Sequence, residues 1–188
     1  TVVGLLGEAV DLADLRRIVA TWREPGAVDR ALEQVRQGWD RLLGTIDGPA
    51  ALHDLDDEQL QRVAQEVREQ IIDTIGEIGG HFGANLGTCE LAVALHSMLD
   101  SPRDKILWDV GHQAYPHKIL TGRRDRLGTI RQYEGLAPFC SIAESEHDIM
   151  GAGHASTSIG YAVGLKEAML HGVGEDGKVV AVIGDGAL

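Results

Sequence analysis

The chain has 188 residues with 29 acidic and 17 basic side chains, a formal net charge of −12. An apolar share of 44% and a mean hydropathy of −0.07 allow one cored domain, with or without an appendage, and exclude a wholly disordered chain. The acidic balance argues against nucleic acid or a membrane as partner, and no apolar run reaches the ~18 residues of a spanning helix.

Leu12, Leu15, Val19 and Trp22 recur at helical spacing until Pro25-Gly26, and Leu32, Val35, Trp39 and Leu42 resume the pattern. The stretch 44–49 reads as a linker. Residues 1–48 are therefore expected to form a helical N-terminal appendage without chemistry of its own, and 49–188 a second domain. Within it, the spacing predicts a helix over 57–77, with Asp56 as N-cap, Gln59 completing a capping box, Leu60, Val63, Val67, Ile71, Ile75 and Ile78 as its apolar stripe, and Arg62, Glu66 and Glu69 facing outward. A second apolar helix is expected over 88–99 and a short buried strand over 105–110. Residues 114–133 read as helical pieces interrupted at Pro116 and Gly122, and 134–153 show no period. A small-residue helix over 156–170 precedes the β-branched run 178–183, which is the pattern of a strand buried on both faces of a parallel sheet. Strands separated by helices imply an α/β fold.

Seven of the eight histidines follow residue 80. Ligands collect at the carboxyl ends of strands in such folds, so the segments after them are the candidates. Gly184-Asp185-Gly186-Ala187 would set a carboxylate between two glycines, as a hard divalent cation requires, although alone it is equally an ordinary turn. Gly151-Ala152-Gly153-His154-Ala155-Ser156-Thr157-Ser158 passes into a helix carrying Gly160 and Gly164. Its free N–H groups and hydroxyls suit phosphate oxygens, while the plainer reading is a capped helix packed closely on a sheet. His112 lies just past a strand end, able to donate a hydrogen bond or move a proton. His117 stands at the wrong spacing to share a helix face with it for zinc, and His96 and His117 read as packed or exposed residues without chemistry. His81 sits in a glycine-rich loop, where polar side chains are often functional. The basic residues Lys118, Arg123, Arg124, Arg126 and Arg131 read as a solvated or interface surface. Two distant cysteines, Cys89 and Cys140, make no knuckle or disulfide framework, and a reduced cytoplasmic setting is expected.

The ordered set is more specific than any member. From Gly80-His81-Phe82 and Glu90 to His96, through Trp108 to Arg124 (WDVGHQAYPHKILTGRR) and Gly128 to Gln132, to Glu144 to Asp148, Gly153 to Ser158 and Val182 to Leu188, the chain resembles the amino-terminal part of the 1-deoxy-D-xylulose-5-phosphate synthase family. These are thiamine-diphosphate enzymes of the transketolase-like superfamily, and the resemblance covers about three quarters of the chain. It implies a partial three-layer α/β/α parallel-sheet domain that binds thiamine diphosphate. It also implies a transferase reaction joining pyruvate to glyceraldehyde 3-phosphate with loss of carbon dioxide, toward isoprenoid, thiamine and pyridoxal synthesis.

Carried over by motif, the resemblance makes Asp185 a ligand of Mg2+ and sets Gly186 and Ala187 against the diphosphate. Gly153, His154 and Ala155 would line the thiamine-diphosphate pocket, His112 would contact the cofactor, and His81 would assist proton transfers near its reacting carbon. The family is homodimeric. Glu134-Gly135-Leu136 stands where the family usually has Gly-Gly-Leu, and Cys140 to Ala143 where it tends to have Pro and Arg, which bears on substrate gating. The family's further metal ligand, activating glutamate and phosphate-binding arginines lie beyond Leu188. The expectation is accordingly a fragment, consistent with Thr1 as first residue, that is inactive by itself. Two other readings are a non-catalytic truncated homologue that docks to a partner or regulates, and a transketolase-like synthase with a different acceptor.

Overall fold

The computed structural model describes residues 41–187, so the helices expected before residue 41, and the appendage they were to form, lie outside the described residues. The described unit opens with a 3-10 turn, Leu42–Thr45, and a second, Pro49–Leu52. Of the stretch 44–49, expected as a linker, Ile46 and Pro49 are buried while Gly44, Thr45 and Asp47 are exposed, and its flanks are tied to the core. Ile46 and Leu52 are buried in the core, and the backbone N–H of Leu43 donates to Glu66 Oε2 at 2.8 Å. A stretch rich in turn residues reads as a linker when nothing in the sequence shows the carboxylate that holds it.

Helix α1, Asp57–Ile78, has the expected capping box, with Gln59 N donating to Asp56 Oδ1 at 2.9 Å and Asp56 N to Gln59 Oε1 at 3.0 Å. Val63, Val67, Ile71 and Ile75 line its buried face; Ile78, expected in the stripe, is exposed at the helix end, and Glu66, expected outside, is buried because it accepts the Leu42 and Leu43 N–H groups. A loop carrying His81 leads to the single turn α2, Gly83–Leu86, and to α3, Cys89–Met98, which packs on α1. Strand β1, Lys105–Trp108, follows, then α4, Tyr115–Lys118. Pro116 begins this helix rather than interrupting it, because the first turn needs no N–H there. The break comes at Gly122, whose φ of 81° ends the helical path. After a 3-10 stretch, Arg124–Thr129, residues 130–157 are irregular, and α5, Ser158–Leu170, leads to β2, Val179–Val182.

The two strands are parallel, with Lys105 opposite Val179 and Trp108 opposite Val182. Parallel neighbours require a crossover, here residues 109–178 including α4 and α5. Ile106, Trp108, Val180 and Val182 join α1 and α3 in the main core, Leu107 is buried on the opposite face of its strand, and α5 packs along both strands. Helices, sheet and helix make a partial α/β/α domain. Strand β2 is only half-buried along its length, contrary to the expected double burial, because β1 is its one strand neighbour among the described residues.

The basic stretch is the larger correction. Lys118 and Arg123 are buried, not solvated. Arg123 grips Asp148 through two hydrogen bonds of 2.8 Å and reaches Glu144 at 3.1 Å, and Lys118 pairs with Glu144. His117 Nε2 contacts Asp148 Oδ1 at 3.0 Å and His117 Nδ1 contacts His96 Nε2 at 2.9 Å, so of the two expected alternatives, packed or exposed, these histidines are packed, inside one network. Burial lowers the pKa of both imidazoles, and burial would raise that of Asp148 were it not outweighed by the hydrogen bonds from His117 and Arg123, which hold its carboxyl low. The network pins the irregular stretch: Ser141 N donates to Asp148 Oδ2 at 2.7 Å, and Ala137 N donates to Glu144. His117, Cys140 and Asp148 lie close enough for a metal, yet Arg123, His117 and Ser141 already occupy both oxygens of Asp148, and burial pushes the Cys140 thiol up to about 12.

Candidate cofactor site

Three chain tips meet at the carboxyl end of the two strands. Asp109, the first residue past β1, donates its N–H to Val182 O at 2.8 Å, tying the two strand ends together. Its carboxylate, almost fully buried, accepts the N–H groups of Ser156 and Ser158 at 3.0 Å each. It thereby caps α5 from another part of the chain and fixes the 151–157 turn over the strand ends. Burial opposes ionisation of Asp109, but the bonds from Ser158 and Ser156 outweigh it and its pKa is lowered. The third tip joins through Ser156 Oγ, which donates to Ala187 O at 2.6 Å.

The segments flagged in the sequence around 112, 153 and 185 are thus brought together. Gly111 lies so close to the second tip that an ideal Cβ on it would stand 2.8 Å from Ala152 Cβ and 3.1 Å from Cys140 N. Gly153, His154, Asp185 and Gly186 are exposed and Ala155 and Ala187 half-exposed, so their backbone faces open space. An added Cβ on Gly186 would meet nothing within 4 Å. The His154 ring turns to its own loop, with Nδ1 2.8 Å from Ala155 O. Asp185 opens a final 3-10 turn, Asp185–Ala187, where one carboxylate oxygen accepts the Gly186 N–H at 2.9 Å.

The histidines complete the wall. The His81 ring stands edge-on to His112 at 5.7 Å between centroids and lies 5.6 Å from the Phe139 ring. Its Nδ1 is 3.3 Å from the Tyr115 hydroxyl. Burial, and then the neighbouring His112 and Arg131, lower the pKa of His81, so a neutral imidazole is favoured there. Nδ1 of His112 is buried and has no hydrogen-bond partner among the described residues. A buried polar atom without a partner is costly, and a ligand reaching it would remove that cost. The residues therefore fit a phosphorylated cofactor, which backbone N–H groups at the glycine-rich tips could hold, with the exposed Asp185 carboxylate and two imidazoles nearby.

Two residues that organise this arrangement carry no signal of their own in the sequence. Asp109 looks like any polar residue after a strand, and Asn85 like a turn residue, yet each ties segments together. Gly160 and Gly164, four apart on α5, leave room for a second backbone. None approaches them among the described residues, and they open instead onto a groove of about 600 Å³ shared with Tyr161 and Leu165.

Residues 43–188 match the family described as 1-deoxy-D-xylulose-5-phosphate synthase. A protein of that name from Chromohalobacter salexigens is 56% identical over 147 residues, which is 78% of this chain and 22% of the relative. One from Neisseria meningitidis serogroup C is 53% identical over 147 residues, and one from Anaeromyxobacter sp. strain K 56% over 148, each aligned over 23% of its own length. The chain thus spans 22–23% of the curated relatives it matches.

Proposed function

Since the chain belongs to the 1-deoxy-D-xylulose-5-phosphate synthase family, we propose that it supplies the diphosphate-binding wall of a thiamine-diphosphate-dependent transferase. The proposed reaction joins pyruvate and glyceraldehyde 3-phosphate to 1-deoxy-D-xylulose 5-phosphate with loss of carbon dioxide, in the cytoplasm and as a homodimer. The observation that carries this reading is the meeting of three tips at one end of the sheet, joined through Asp109, Ser156 and the close approach at Gly111.

When bound, the cofactor supplies the carbanion chemistry. The chain's own residues hold and orient it. Asp185 would bind Mg2+, and the backbone at Gly186 and Ala187 would face the diphosphate oxygens. Gly153, His154 and Ala155 would line the pocket beside them. His112, with its unpartnered Nδ1, would contact the cofactor. His81, kept neutral by burial and by His112, would take or return a proton at its imidazole. More than three quarters of each relative lies outside the aligned stretch, and residues 1–188 alone are proposed to form no product.

Calorimetric titration of the full gene product with thiamine diphosphate tests this. Binding is expected only when Mg2+ is present, and Asp185→Ala should weaken it by about a hundredfold or more, the loss of a charge-assisted metal ligand. Equal affinity with and without Mg2+, or an unchanged Asp185→Ala variant, would remove the assignment.

A further inference from the structure

The geometry points to Asn85 as a positioning residue that sets His81 and His112 in register with each other. Asn85 is fully buried in the turn α2, between the two histidine loops. Its side-chain amide donates one N–H to the His81 carbonyl and the other to the His112 carbonyl, the latter at 2.8 Å. Its Oδ1 accepts the Tyr115 N–H at 2.8 Å. Both donors and one acceptor lone pair are therefore spent on backbone groups of the two loops, and none on its own helix turn.

Thr88, between α2 and α3, holds the next residue of the second loop as well, because its Oγ donates to Gln113 O at 2.9 Å. Tyr115, whose N–H Asn85 accepts, returns its hydroxyl to His81: the His81 N–H donates to it at 3.4 Å and the ring Nδ1 lies 3.3 Å away. A closed circuit thus runs from Asn85 through His112 and Tyr115 to His81. Cutting it at Asn85 leaves two half-buried carbonyls and the buried Tyr115 N–H without a partner, which the loops would satisfy by shifting toward water.

The pattern needs two donors and one acceptor on a short, flat side chain. Asparagine meets it, and aspartate of the same shape does not, because its carboxylate turns an acceptor toward each carbonyl. Asn85→Asp therefore keeps the volume and the Tyr115 bond while removing both donors. Asn85→Ser is smaller and neutral, and serves as the reading should Asn85→Asp fail to fold.

This inference rests on the proposed placement of both histidines at the cofactor, but its primary test does not depend on turnover. The groups facing His81 are His112, Arg131 and the Tyr115 hydroxyl, with the Phe139 ring against it. In proton–carbon correlation spectra of the full gene product without cofactor, His81 should titrate below a free imidazole. In Asn85→Ser, which adds no charge, its midpoint should shift upward, as burial and the nearby His112 both recede; in Asn85→Asp the new carboxylate raises the midpoint by itself, so Asn85→Ser is the deciding variant for this readout. The second readout is steady-state kinetics, where kcat should fall about tenfold or more with KM for either substrate changed less than about threefold. A folded variant with an unmoved His81 midpoint would overturn the inference. A shifted midpoint in a protein that makes no 1-deoxy-D-xylulose 5-phosphate from the two substrates would uphold the role of Asn85 and overturn the functional reading instead.

Discussion

Arg123→Met is expected to lower the melting temperature by roughly 10 °C or more. The guanidinium is almost fully buried and makes two 2.8 Å bonds to Asp148 and one of 3.1 Å to Glu144. Methionine replaces its volume but not its charge. Asp148 would then depend on the Ser141 N–H, on neutral His117, and on Lys118, whose Nζ is 3.8 Å away. Removing one partner of a buried ion pair costs about 3–5 kcal/mol, and each kcal/mol is worth about 2–4 °C in a domain of ~150 residues. The double variant Arg123→Met with Asp148→Asn should recover part of the loss, because the stranded charge is then gone. Differential scanning calorimetry of the two variants decides it: a melting temperature within about 2 °C of the parent for Arg123→Met would mean that the network contributes nothing.

Gly111→Ala should leave the fold standing and abolish most cofactor binding. Gly111 sits in the left-handed region at φ 84°, which costs an alanine about 1 kcal/mol. The closer constraint is spatial, since the new methyl would press on Ala152 Cβ and on the Cys140 N–H. Neither neighbour can yield without moving the second tip away from the first. Circular dichroism should be unchanged, while affinity for thiamine diphosphate with Mg2+ falls by about a hundredfold. Gly76→Ala is the control. It lies within α1 with nothing within 4 Å of the added methyl, and should bind like the parent. Equal affinity in Gly111→Ala and Gly76→Ala would show that the close approach at Gly111 is irrelevant to the site.

Local patterns carried much of the architecture. The Asp56–Gln59 capping box and the stripe from Val63 to Ile75 identify α1 because both signals lie within a few residues of one another. The two strands, α3 and α5 are legible for the same reason. What was hidden depends on partners far away in the chain. Lys118 and Arg123 read as surface because their carboxylates, Glu144 and Asp148, follow more than twenty residues later in a stretch without period. The available signal was a basic stretch at 118–131 followed by an acidic one at 144–148, of which Lys118 and Arg123 pair with Glu144 and Asp148. At the site, the glycine-rich tips and His81 stand out by composition, whereas Asn85 acts through backbone carbonyls that no residue pattern encodes. Asp109 is similar, since the helix it caps begins nearly fifty residues on.

The most direct measurement is the change in backbone amide resonances of the full gene product when thiamine diphosphate and Mg2+ are added together. Convergence of the strand ends predicts that the amides of 111–112, 153–155 and 185–187 respond as one set, with one common saturation curve. Perturbation confined to a single one of these segments, or centred on α1 and α3, would contradict it.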